Sequence, residues 1–213
     1  MVKSSLALLE YLNRAATNSF AGQLERVAFR RGQLLLQQDE DARGIYVLLS
    51  GVVKCFITEE NGRCFVLEFL GEGEILGELE LLTEQATLNH VEVLTEGEAY
   101  WLEASAFTRL QQDTEFSALL LRELATRLRR TARRASYQQV YPLEYAVLQL
   151  LSLFDDHQQP ISKQDLADYL AVPVRSLNRV LKYLAEQQLF HTNAKGQLAA
   201  HPQRLAEMLQ AYW

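Results

Sequence analysis

Arg175, Ser176, Asn178, Arg179 and Lys182 fall within the stretch V-R-S-L-N-R-V-L-K and share one face of a helix. Each brings chemistry that a nucleic-acid groove can use. Arginine pairs bidentately with guanine, asparagine with adenine, serine with several base edges, and lysine neutralises phosphate. No carboxylate interrupts this face before Glu186. Leu177, Val180, Leu181 and Leu184 recur at helical spacing on the other side and predict a buried face. An ordinary surface helix with some positive charge has the same pattern, so the segment by itself leaves both readings open.

The preceding residues must position that helix. Ser162 followed by Asp165 predicts a capping-box-like helix start, and Leu166, Ala167, Tyr169 and Leu170 give this first helix a buried side. The turn Ala171-Val172-Pro173 then leads into the second helix, with proline expected at its first helical position, where the missing N–H costs little. Lys163, at the start of the first helix, joins the candidate DNA contacts. Two short helices around a tight turn form a helix-turn-helix, whose second helix enters the major groove.

A net charge of −6 argues against a nucleic-acid binder until it is divided along the chain. Residues 1–115 hold 9 basic against 19 acidic side chains, and residues 116–213 hold 12 against 8. The acidic half cannot be the DNA-contacting half, and the basic half can. No apolar run approaches the ~18–20 residues of a membrane span, and the N-terminus reads as an amphipathic helix interrupted by Glu10 rather than a signal peptide. The expected location is the cytoplasm. Cys55 and Cys64 cannot complete a four-thiolate site in one chain, and they are expected to be reduced and partly buried.

Three regions follow from the patterning. Residues 1–115 form a first domain in which residues 24–104 read as short strands punctuated by glycines, with E-E-N-G-R marking a hairpin. Such spacing predicts a small barrel or β-roll. Residues 116–141 form a long helix and hinge, free of Gly and Pro to about Val140. Along it Leu121, Leu124, Leu128, Thr131, Ala135 and Gln138 recur at spacings of 3 and 4, a heptad seam suited to pairing two copies, although packing on the helix's own β-domain is an alternative. Arg127, Arg129, Arg130, Arg133 and Arg134 crowd the same helix and read mostly as solvated face, although one or two of them could reach an anionic ligand. Tyr141-Pro142 breaks it, and residues 142–213 run helix, helix, helix, hairpin, helix, the order of a winged helix.

This combination resembles the bacterial cyclic-AMP receptor protein/fumarate-nitrate regulator family of transcription factors over nearly the whole chain. The resemblance is carried by L-L-Q-Q-D-E-D-A-R-G-I-Y-V-L-L-S-G-V-V-K (35–54), the hairpin at 59–63, G-E-G-E-I-L-G-E-L-E-L-L (71–82) and the two-helix unit at 161–187. It implies an α+β fold with an N-terminal double-stranded β-roll, a long dimerisation helix and a C-terminal winged helix-turn-helix. The implied activity is sequence-specific transcription regulation rather than catalysis. The implied partners are DNA with a palindromic operator, a second copy of the chain, RNA polymerase and a small-molecule effector of unidentified class.

The departures from the family bear on that effector. Run 71–82 resembles the family's phosphate-binding cassette, and Glu78 matches its ribose-binding glutamate. The positions of the family's phosphate-pairing Arg-Ser or Arg-Thr hold Leu88 and Asn89 instead. Glu78, Leu88, Asn89, His90, Arg133 and Arg134 are the effector-pocket candidates, with Arg133 and Arg134 the substitute cations. The expectation is a neutral or cationic ligand, or none; a cyclic-nucleotide receptor with an altered pocket is the alternative. The DNA reader departs too, since Val174-Arg175-Ser176 replaces the family's frequent carboxylate-bearing start of the recognition helix. His90, His157, His191 and His201 are scattered without metal-ligand spacing, and no cofactor is assigned.

Overall fold

The computed structural model describes residues 6–17, 22–152, 161–192, 198–200, 202–210 and 212. It divides into two compact units, Val2–Leu128 and Arg129–Trp213, with the division inside one long helix. That helix, α4 in the numbering below, begins at Thr114, slightly earlier than the sequence suggested.

The N-terminal unit opens with α1 (Leu6–Thr17), which buries Leu8, Leu9, Tyr11, Leu12 and Ala15. Eight strands follow: β1 (Glu25–Phe29), β2 (Leu34–Leu36), β3 (Gly44–Leu48), β4 (Val52–Thr58), β5 (Cys64–Leu70), β6 (Ile75–Leu76), β7 (His90–Thr95) and β8 (Gly97–Glu103). A short helix, α2 (Glu78–Thr83), separates β6 from β7, and α3 (Ala104–Leu110) leads into α4 (Thr114–Val140). The strands form two antiparallel sheets, ordered β1-β8-β3-β6 and β2-β7-β4-β5, the double-stranded roll expected. Strands β1 and β6 had no separate sequence signal, being short and weakly alternating.

Alternation within the strands builds one core from the two sheets, where Phe29, Leu48, Val53, Cys55, Leu70, Leu76, Val91, Val93 and Ala99 are buried together. A second core joins the other face to helices: Leu8 and Leu12 of α1 meet Ile45, Val47, Ile75, Leu102, Phe107, Phe116 and Leu120. In the β4–β5 hairpin Gly62 adopts φ 76, and the Asn61 side chain accepts the Arg63 N–H at 3.0 Å, so the Asn-Gly turn does the work its residues suit it for. Cys55 pairs across the ladder with Glu68, and Cys64 with Thr58. Cys55 is buried as expected, whereas Cys64, at the strand's first position, is exposed.

The C-terminal unit continues α4 into α5 (Leu143–Leu151), α6 (Lys163–Tyr169), α7 (Val174–Glu186), a two-stranded sheet of β9 (Phe190–Thr192) and β10 (Leu198–Ala200), and α8 (Pro202–Gln210). The order is that of a winged helix-turn-helix. Tyr145, Leu148, Leu151, Leu166, Leu170, Leu177, Leu181, Leu184 and Leu205 supply its buried side chains. The loop read at 155–160, the wing turn at 193–197, and His157 and His201 lie outside the described residues.

Helix α6 starts on a complete capping box. The Ser162 hydroxyl accepts the Asp165 N–H at 3.1 Å, and the Asp165 carboxylate accepts the Ser162 N–H at 3.2 Å. Two otherwise unpaired donors are thereby satisfied. Replacing Ser162 with Ala should cost about 1 kcal/mol of stability, read as a lowered urea midpoint at unchanged slope, with Ser162→Asp retaining most of the wild-type value.

Candidate functional site

Two sites stand out, one in each unit. In the N-terminal unit β6 runs into Gly77, which has φ 86 and lies so close to β3 that a Cβ would meet the Gly44 carbonyl oxygen at 2.7 Å. Only glycine fits both the left-handed backbone and that approach. The turn aims α2 over a small cavity lined by Leu36, Cys55, Leu70, Ile75, Leu76, Gly77, Glu78, Leu79, Glu80, Asn89, Val91 and Arg127. Its volume is ≈ 40 Å³, room for a few waters and far below the roughly 300–1,000 Å³ of pockets for drug-sized ligands.

Charge inside the cavity is concentrated on Arg127 of α4. Its Nη1 donates to Glu78 Oε1 at 2.5 Å, and its Nη2 donates to Glu74 Oε2 at 2.9 Å and to the Ile75 carbonyl at 2.6 Å. All three side chains are shielded, with 15% exposure for Arg127, 3% for Glu74 and 2% for Glu78. Burial disfavours the charged guanidinium, yet the Glu78 and Glu74 carboxylates outweigh it and raise the Arg127 pKa. Burial pushes the Glu78 and Glu74 carboxyls up, against the lowering effect of Arg127. Glu80 is also buried and accepts the Leu88 N–H at 3.2 Å. Carboxylates therefore outnumber the guanidinium around this space, and residues 78–90 hold no Lys or Arg.

The predicted pocket residues separate on this geometry. Glu78 and Asn89 line the cavity; Leu88 does not, its side chain being 56% exposed. The Asn89 amide donates to the His90 carbonyl at 3.2 Å. His90 is no liner either: its Nδ1 accepts the Gln38 N–H at 3.2 Å and its ring lies 5.0 Å from Phe56, the role of a satisfied strand residue. Arg133 and Arg134 are not among the residues that line the cavity. Arg134 is instead buried in the C-terminal unit with its guanidinium 4.5 Å from the Tyr169 ring.

Arg127 and Glu74 were missed as a pair, and a signal for Arg127 existed. Phe116, Leu120 and Leu124 face the N-terminal core, and Arg127 falls three helical turns from Phe116 on the same stripe. Arg134 continues it, two turns on. An arginine on a buried stripe needs a carboxylate or aromatic partner, and both have one.

The second site is the exposed face of α7. Arg175, Asn178, Arg179 and Lys182 are exposed and Ser176 is half-buried, while Leu177, Leu181 and Leu184 are buried. Among the described residues none of these three cations is tied up in an ion pair. Pro173 occupies the N-cap position rather than the first helical one, and its carbonyl accepts the Ser176 and Leu177 N–H groups. Ala171 carries φ 55, which turns the chain sharply between α6 and α7. Lys163 is exposed at the start of α6.

The α4 seam is also only partly as read. Leu121 is 66% and Leu128 70% exposed, and Thr131 and Ala135 are exposed. Leu124 is instead half-buried against the unit's own core, because it shares the inward stripe of Phe116 and Leu120. The exposed apolar line runs Leu121, Ala125, Leu128, Ala132 and Ala135.

Comparison with known proteins gives a match over part of each unit. Residues 26–114 match the cyclic nucleotide-binding domain family, and residues 160–190 match the bacterial regulatory proteins of the crp family. The CRP-like cAMP-activated global transcriptional regulator of Mycobacterium tuberculosis is 26% identical over 205 residues, covering 90% of this chain and 91% of that protein. The cAMP-activated global transcriptional regulator Vfr of Pseudomonas aeruginosa is 28% identical over 168 residues, 71% of this chain and 78% of that one. FixK2 from Bradyrhizobium japonicum has the same fold, with TM-score 0.76 at 19% identity over 86% of this chain and 96% of that one. With a cyclic-nucleotide-type β-roll before a helix-turn-helix whose exposed face is cationic, the chain belongs to the CRP/FNR family and is a DNA-binding transcription regulator, not an enzyme.

Proposed function

We propose that the protein is a homodimeric, sequence-specific regulator that reads DNA with α7 and whose β-roll does not take cyclic AMP. The carrying observation is that the cavity's guanidinium is already neutralised by Glu74 and Glu78. A cyclic phosphate buried there would lack the charge-assisted hydrogen bonds that offset its desolvation. The space left, ≈ 40 Å³, supports the same reading. The alternative of a cyclic-nucleotide receptor with an altered pocket draws on Glu78, which stands where the family's ribose-binding glutamate does, and on relatives named as cAMP-activated.

Dimerisation is supported by the exposed line on α4. Two leucines, Leu121 and Leu128, stand one heptad apart with small residues between, the arrangement that lets two helices approach closely. A dimer would hold two α7 helices about one DNA turn apart, matching a palindromic operator. RNA polymerase is a further proposed partner, and the expected compartment is the cytoplasm. Among the described residues no helix is long and apolar enough to cross a membrane.

Three outcomes are expected. Leu128→Glu should yield monomers in analytical ultracentrifugation, since burying each leucine is worth about 1.5–3 kcal/mol and a lone buried charge is costly; a dimeric variant would refute the seam. Arg175→Ala should lose about 1–3 kcal/mol of DNA affinity and relax preference at one position per half-site, whereas Lys182→Ala should weaken all sequences alike and flatten the salt dependence. Calorimetric titration with cyclic AMP and cyclic GMP should show no binding, and micromolar affinity for either would overturn the cavity reading.

A further inference from the structure

We infer that Arg204 of α8 is a positioning residue for DNA reading: it grips the C-terminal end of α7 through Gln188 and so sets the angle at which Arg175 and Arg179 meet the bases. The inference rests on the reading of α7 as the DNA-contacting helix and goes further, from which residues touch DNA to what aims them.

Helix α7 closes with the two hydrogen bonds of a Schellman cap. The Gln188 N–H donates to the Ala185 carbonyl at 2.9 Å, and the Leu189 N–H donates to the Leu184 carbonyl at 3.1 Å. Such a cap needs a left-handed residue, and here Gln188 fills the place with φ 56. Glutamine strains the backbone there where glycine would not. Its side chain has a use. The Arg204 Nη1 donates to Gln188 Oε1 at 3.0 Å and to the Gln188 carbonyl at 3.5 Å. The last turn of α7 holds Glu186 and no basic residue of its own, so Arg204 also brings the cation that a helix C-terminus favours.

Arg204 is itself anchored. Leu205, the next residue, is 5% exposed. Beyond α8 the Tyr212 ring lies 5.1 Å from Tyr145 of α5 and 6.4 Å from Tyr141. Helix α8 thus bridges the α4–α5 corner and the far end of the reading helix. Arg204 and Gln188 are both exposed, so their bonds add little to folding. What they fix is direction. Arg175 lies about 20 Å from Gln188 along the helix axis, so a tilt of roughly 3° at the cap moves Arg175 by ~1 Å, more than a precisely placed contact tolerates.

The test uses the full chain, an operator selected by wild type from random DNA, fluorescence anisotropy over a salt series, and thermal unfolding. Arg204→Ala and Gln188→Gly should each bind roughly three- to fivefold more weakly. The double variant should bind no more weakly than either, because both changes remove the same tie. The salt dependence should match wild type in all three. Gln188→Gly should also keep or raise the thermal midpoint, since glycine relieves the left-handed position. Weaker binding by a protein of equal or greater stability separates aim from folding, and this variant carries the test if Arg204→Ala does not fold. Wild-type affinity or a lowered midpoint in Gln188→Gly, or additive losses in the double variant, would overturn the inference. So would a salt slope reduced by about one in Arg204→Ala alone, the mark of a direct phosphate contact. Arg175→Ala that binds the operator at wild-type affinity would overturn the reading of α7, and the inference with it.

Discussion

One buried arginine organises the functional half of the N-terminal unit. Arg127 gathers Glu74, the Ile75 carbonyl and Glu78 around a single guanidinium, and so fixes the turn before β6, β6 itself and α2 against the first part of α4. Such a cluster is not cheap. Each charge must be desolvated, and a hydrophobic filling of equal volume would often be as stable. What the charges add is direction: a planar guanidinium accepts only a few orientations of its partners, so α2 and β6 are held in one arrangement rather than many. Gly77 permits it by letting α2 start within van der Waals reach of β3.

The same charges separate the two units by chemistry. The N-terminal unit concentrates acid around its cavity, where Glu74, Glu78 and Glu80 are all buried. The C-terminal unit places its cations outward on α7, over a face of buried leucines. A DNA backbone would be repelled by the first and attracted by the second. The overall charge of −6 conceals this division.

Packing decides which side chains are left for partners. In the N-terminal unit Phe116, Leu120 and Leu124 are spent on the internal core, while Leu121 and Leu128 point elsewhere and stay exposed. In the C-terminal unit Arg134 closes over Tyr169 and Gln138 donates to the Tyr169 carbonyl at 3.2 Å, so residues of α4 support α6 directly. The long helix thus serves two interiors and keeps one apolar line outside.

Much of this was legible in local sequence. The Asn-Gly hairpin, the capping box at Ser162, the break at Pro142 and the apolar spacing of α7 each depend on residues within a few positions of one another. Their physics is local, so order and type of the elements followed, as did the exposed set on α7. Pairings distant in the chain did not. The partnership of Arg127 with Glu74 and Glu78 spans 53 and 49 residues. No periodicity distinguishes Arg127 from the four arginines near it except its place on a stripe whose buried side was not yet known. Likewise Leu124 and Leu128 look alike within a heptad pattern, and only the position of the β-roll core decides that one is inside and the other out. Sequence by itself determined which elements form and which residue types they carry. Tertiary structure decided which charges are buried together and which leucines remain exposed, because burial is a property of neighbours the chain brings from far away.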